Sequence, residues 1–180
     1  MWEIIGTALL SGSAGFVAGA YWIVRYKPGP GIGLDEEDRR EVSLTLDIDT
    51  TGFDAALYAG TAEQVFKWAG TRATLLVHEE VLPVCAPGLL AGTVSLNPQA
   101  VAELPLLQQS TRPFGWSQWF EAMGVSTTHA LSGPRYELFS MTATAAIHGL
   151  GVALVPRLLV EAELARGDLV VACDLPLRGE

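Results

Sequence analysis

From Val42 onward the chain alternates short apolar runs with segments of helical period, and no other feature limits its fold as much. The runs are VSLTL (42–46), FDAALYAG (53–60), ATLLVHEEVLPVCA (73–86), PLLQQS (105–110), RYELF (135–139), VALVP (152–156) and DLVVACDL (168–175). Their length and branched composition predict strands, with 73–86 either one long strand or two in succession. FDAALYAG and VALVP are nearly continuous in apolar residues, which predicts strands buried on both faces. Helix signals lie between the runs. Pro87 opens PGLLAG at a first helical position, and Asn97 before Pro98 is an N-cap ahead of QAVAEL. Trp116, Trp119, Phe120 and Met123 share one helical face, which Gly124 ends. SMTATAAIHG (140–149) reads as a helix of small residues, and RLLVEAELARG (157–167) as a helix closed by Gly167. Strands alternating with helices predict an α/β fold with mainly parallel pairing.

The first residues break this pattern. Ile4 to Val24 contains neither a charged residue nor a proline, and Arg25 and Lys27 follow it. About 20 apolar residues can cross a bilayer as a helix. Tyr21 and Trp22 fall where an interfacial belt would lie, and Gly15 and Gly19 make a small-residue packing face. Three readings stand side by side: a membrane helix with its basic flank in the cytoplasm, a soluble leader, or a signal peptide. Residues 1–27 are accordingly set apart as an apolar leader. KPGPGIGLDEEDRRE then gives a Pro/Gly and acidic linker over 28–41, and the globular part runs over 42–180.

Composition narrows the function. The 180 residues hold 20 Asp and Glu against 11 Lys and Arg, a net charge of −9, and no basic run. Phosphate backbones demand clustered Lys and Arg, so direct nucleic-acid contact by this chain is not expected. Cys85 and Cys173 are far apart in sequence, without a CxxC or a histidine at ligand spacing, and read as buried small apolar residues. No metal, no cofactor and no catalytic residue is expected. His78, His129 and His148 are scattered, and Glu79 and Glu80, adjacent on a strand, point to opposite faces. Gly149-Leu150-Gly151 looks like a fragment of a dinucleotide loop, but its order is helix, glycines, strand. A phosphate cradle needs the reverse, so Gly149 is read as a left-handed helix stop and Gly151 as the turn into a buried strand.

What remains is a ligand site without chemistry. Ser140, Thr142 and Thr144 crowd the first turns of the small-residue helix, where backbone N–H groups favour an anion. Ser110, Thr111 and Arg112 lie just past a strand end, and Arg112 can hold a carboxylate with its fork. From these residues alone a second reading is equally open: Ser140 caps its helix and Arg112 is solvated.

The segments GFDAALYAG, HEEVLPVCAPGLLAG, LPLLQQSTRP, WFEAMGV and YELFSMTATAAIHGLGVALVPRLLVEAELARGDLV, in that order and spacing, resemble the effector-binding domain of LysR-type transcriptional regulators. The likeness is strongest to the glycine-cleavage-activator branch and covers roughly two-thirds of the chain. It implies a bacterial regulator with a periplasmic-binding-protein-like (type 2) fold of two α/β lobes. Here lobe two, about 78–172, would be complete and lobe one partial, preceded by the apolar N-terminal helix. It further implies no catalysis and a small-molecule effector, carboxylate or amino-acid-like, held between the lobes. A homo-oligomer is implied, with transcription controlled through a helix-turn-helix domain that this chain does not contain. Carried over by matching position, the ligand-binding residues are Ser110, Thr111 and Arg112; Phe139, Ser140, Met141 and Thr142; and Tyr58 and Gly60. The cytoplasm is the implied compartment. The alternative is a fragment tethered to the inner membrane through 4–24 with its globular part cytoplasmic, or a nonfunctional remnant of such a regulator.

Overall fold

The computed structural model describes residues 20–26, 55–66 and 71–178. These residues fall into two units that divide between His78 and Glu79.

In the first unit, strand β1 (Ala20–Tyr26) pairs antiparallel with both β2 (Ala55–Gly60) and β3 (Thr71–His78). This corrects the apolar helix expected over 4–24 at its C-terminal end. Residues 20–24 are strand, and Ile4 to Gly19 lie outside the described residues. The physical reason is local. Tyr21, Trp22, Ile23 and Val24 are the aromatic and β-branched types that favour extended backbone, and two neighbouring strands take up their hydrogen bonds. Among the described residues no helix is long and apolar enough to cross a membrane.

The expected strand at 53–60 begins at Ala55, and the reading of it as buried on both faces is also corrected. Tyr58 is buried while its neighbour Leu57 is 38% exposed, so the strand covers one face only. Helix α1 (Ala62–Phe66) follows, a short element the apolar pattern did not reveal. Its start is a reciprocal cap: the Thr61 N–H donates to Gln64 Oε1 at 2.9 Å, and the Gln64 N–H donates to Thr61 Oγ1 at 3.4 Å. The strand expected over 42–46 and the linker over 28–41 lie outside the described residues.

The second unit is built on a mixed sheet of order β6-β5-β7-β4-β8, with β9 also on β4. Its strands are β4 (Glu80–Cys85), β5 (Leu106–Gln109), β6 (Arg135–Tyr136), β7 (Val152–Pro156), β8 (Val170–Val171) and β9 (Leu177–Arg178). Among the described residues the parallel pairs are β5 with β6 and β5 with β7; β4 is antiparallel to β7, β8 and β9. The mainly parallel pairing expected from the alternation is therefore wrong in both units. β4 follows β3 across a single residue, Glu79, and passes into a different sheet, where β7, β8 and β9 all run against it.

The period of two decides the core. Val81 and Cys85 of β4, with Val152 and Leu154 of β7, face Trp116, Trp119 and Phe120. Leu82 and Val84, with Ala153 and Val155, face Ala143, Ala145 and Ala146 on the other side. Helix α3 (Gly115–Ala122) covers the first face and α4 (Phe139–Ile147) the second. In α3, Trp119 is fully buried, packs edge-on to Trp116 and Phe120, and donates its Nε1–H to the Leu175 carbonyl at 2.9 Å. Alanines on α4 let its backbone approach the sheet closely. Two shorter helices, α2 (Pro98–Ala102) and α5 (Glu161–Arg166), complete the unit. Asn97 caps α2 by accepting from the Ala100 N–H at 2.8 Å. Cys85 and Cys173 are buried free thiols in the first core, and burial pushes Cys85 up to about 11.

The glycine pair behaves as structure. Gly149 has φ 74°; its N–H meets the Ala146 carbonyl, and the Leu150 N–H meets that of Ala145, the paired bonds that close a helix with a left-handed residue. At Gly151 an added Cβ would collide with the backbone carbonyl of Pro105, which itself accepts the Val152 N–H at 2.8 Å. Glycine there lets β7 dock beside β5.

Candidate functional site

Strand β5 ends in two glutamines that point to opposite faces, and both are buried. A buried amide must find partners, and each glutamine ties β5 to a loop. Gln108 donates its Nε2–H to the Ala130 and Ser132 carbonyls at 3.2 and 2.7 Å. Gln109 donates to the Glu137 carbonyl at 2.8 Å and to Thr111 Oγ1 at 3.1 Å, and its Oε1 accepts from the Thr142 hydroxyl at 3.1 Å. The end of β5 is thereby locked to the first turn of α4.

The chain then turns through 110–114, held by the Ser110 N–H on the Tyr136 carbonyl and the Arg112 N–H on that of Gln109. The turn aims Arg112 back over the sheet. Its two terminal nitrogens donate to the two carboxylate oxygens of Glu79, at 2.8 and 3.0 Å. Its guanidinium carbon stands 5.0 Å from the centroid of the Phe139 ring. Glu79 is 3% exposed, so its charge requires a close partner. The expectation that Arg112 stands available to a ligand carboxylate thus meets a fork that already holds an internal one.

A recess opens beside Arg112, floored by Val81, Leu107, Trp116 and Leu154 and flanked by Gln109 and Phe139. Counted out to its open mouth it measures about 280 Å³. Most of that space is open to solvent, so this is a shallow surface recess rather than a closed cavity.

The structure gathers seven of the nine expected residues at this end of the second unit. Thr111, Arg112, Phe139 and Thr142 are joined through the contacts above, and Ser110, Ser140 and Met141 adjoin them in the chain. Ser140 and Met141 are exposed on the first turn of α4. Leu138, not Ser140, is the N-cap, and its carbonyl takes the N–H groups of Met141 and Thr142. Phe139 and Ser140 are thus the first two residues of the helix, where backbone N–H groups have no intrahelical acceptor. Thr142 is fully buried and its hydroxyl lies between Gln109 Oε1 and the Leu138 carbonyl. Tyr58 and Gly60 belong to the first unit, where the Tyr58 ring lies against Gly60 and burial raises the phenol above its ordinary value. Two residues central to this geometry, Gln109 and Glu79, were not among those expected. The available signal was a carboxylate and an amide inside apolar runs, HEEVLPVC and PLLQQS, where burial forces pairing.

Comparison with known proteins bears on what this site belongs to. A family model described as LysR substrate binding domain matches residues 41–178. The chain is 33% identical over 144 residues to the glycine cleavage system transcriptional activator of Escherichia coli (strain K12), covering 79% of this chain and 44% of the relative. It is 35% identical over 124 residues to the HTH-type transcriptional activator AmpR of Rhodobacter capsulatus, covering 69% and 40%. The chain thus spans less than half the length of these curated relatives. Among solved structures, the effector domain of the transcriptional regulator AmpR of Pseudomonas aeruginosa superposes with a TM-score of 0.50 at 23% identity, over 57% of this chain and 48% of that one. That likeness supports the fold.

Proposed function

Because the chain belongs to the LysR substrate binding domain family, we propose that it is the effector-sensing part of a transcriptional regulator of that type. The observation that carries the proposal is the junction of β5 with α4. Gln109 and Thr142 brace that junction from within, and Arg112 with Phe139 borders an apolar recess beside it. The reading assigns the domain to 42–180, with 78–172 as its second lobe and β1 as an added strand. Its ligand is a small carboxylate or amino-acid-like molecule. The ligand's apolar part lies against the recess, and its anionic part meets Arg112 and the first turn of α4, with the hydroxyls of Ser110 and Ser140. Thr111 and Thr142 hold that geometry, and Met141 borders it.

The domain performs no chemistry in this reading. It biases a DNA-binding segment outside these residues, in a cytoplasmic homo-oligomer, and its own net charge of −9 keeps it off nucleic acid. The test is thermal denaturation of the chain against a panel of amino acids and small aliphatic and aromatic acids. At least one is expected to raise the melting temperature, and Ser110→Ala with Ser140→Ala is expected to remove the rise. A panel without effect on the folded wild type would sink the proposal.

A further inference from the structure

Resting on the effector reading above, a narrower question is which head groups the site accepts. Arg112 is the cation that lines the recess, and Glu79 already occupies both of its terminal nitrogens. The two residues differ in access: the Glu79 side chain is 2% exposed and that of Arg112 is 19%. Arg112 is therefore the member of the pair that solvent and a ligand can reach, while Glu79 is enclosed. The Phe139 ring fixes the plane of the guanidinium, so the fork has little freedom to turn toward a newcomer.

We propose that Glu79 is a specificity-determining residue, an internal competitor for the carboxylate seat on Arg112 that holds down the site's preference for anionic over neutral head groups. Two carboxylates crowded around one cation repel each other, so a ligand carboxylate approaching Arg112 meets the Glu79 charge as well. A neutral amide of the same shape meets no such penalty and can still accept or donate hydrogen bonds at the rim. Discrimination then rests on a difference of affinities in which the repulsive element is built into the protein.

The experiment uses the full chain and two isosteric probes, benzoate and benzamide, which share one apolar body and differ in the charge of the head group. Both are titrated by NMR into the wild type and Glu79→Gln, and the readout is the ratio of benzoate to benzamide affinity. Glu79→Gln keeps the shape and an acceptor for Arg112 but removes the competing charge. The ratio is expected to rise about tenfold or more. A ratio unchanged within about twofold overturns the proposal, and if both probes bind the two forms alike the effector reading survives it. Should neither probe bind either form, Arg112 offers no such seat and the proposal falls, while the wider ligand panel still decides the effector reading. If Glu79→Gln does not fold, Glu79→Asp, which keeps the charge but draws it back from the fork, is expected to raise the ratio about threefold, and no rise overturns the proposal.

Discussion

Replacing Thr142 by valine sets packing against hydrogen bonding at the point where the site is fastened together. The residue is fully buried, so valine keeps the volume and adds apolar surface. The substitution deletes the hydroxyl that lies 3.1 Å from Gln109 Oε1, leaving a buried amide oxygen without its donor. Leaving one buried acceptor unpaired costs about 1–3 kcal/mol. Thr142→Ser makes the opposite change, keeping the hydroxyl and losing one methyl, at about 0.8 kcal/mol. The hydrogen bond should therefore win, and valine should be the more damaging of the two. With about 2 kcal/mol lost, the melting temperature should fall by roughly 4–8 °C for a chain of this size. Thermal denaturation followed by near-UV circular dichroism reads the change, because Trp116, Trp119 and Phe120 form a buried aromatic cluster in the same unit. A valine variant as stable as the wild type, or more stable than the serine variant, would show that the Gln109–Thr142 bond does not fasten β5 to α4.

Other substitutions probe the rest of the account. Gly151→Ala should cost more than about 2 kcal/mol, because its Cβ meets the Pro105 backbone, whereas Gly149→Ala, in open space at φ 74°, should cost only about 1 kcal/mol; urea denaturation ranks them. Trp119→Ala should lose about 3–5 kcal/mol in the same assay, since it empties a fully buried site and orphans the Leu175 carbonyl. Burial raises Cys85 from its ordinary value of 9.0 to about 11, so the unfolded chain releases this proton first. The stability tied to the neutral thiol is thus present below pH 9 and lost as pH rises toward 11, a decline that denaturation across this range should detect and Cys85→Ala should lessen.

The second unit was legible in the sequence because its signals are local. The Trp116, Trp119 and Phe120 face, the Asn97 cap, and the stops at Gly124, Gly149 and Gly167 each depend on a few neighbouring residues, and each appears where the pattern puts it. The resemblance to LysR-type regulators drew on the same segments. Pairing direction was not legible, because an apolar run reads the same whether its partner is parallel or opposed. The direction follows from which strands meet in each sheet, as when β4 meets β7, β8 and β9, and those meetings join segments far apart in sequence. Residues 20–24 were misread because hydrophobicity alone does not separate a bilayer-facing helix from a strand with two partners. At the β5–α4 junction, the places of Ser110, Arg112 and Ser140 at strand and helix ends single them out, whereas Phe139 is singled out only by the family resemblance. The Glu79–Arg112 pair could not, because it joins residues 33 apart in sequence, and nothing in either segment names the other.

The most direct test of the effector reading is amide chemical-shift mapping with whichever panel compound gives the largest thermal shift. The account predicts that the amides of Ser110, Arg112, Phe139 and Ser140 move together and saturate with one affinity, and that the shifts vanish in the Ser110→Ala, Ser140→Ala variant. Saturable shifts confined to residues remote from the β5–α4 junction, with these four amides unmoved, would contradict it.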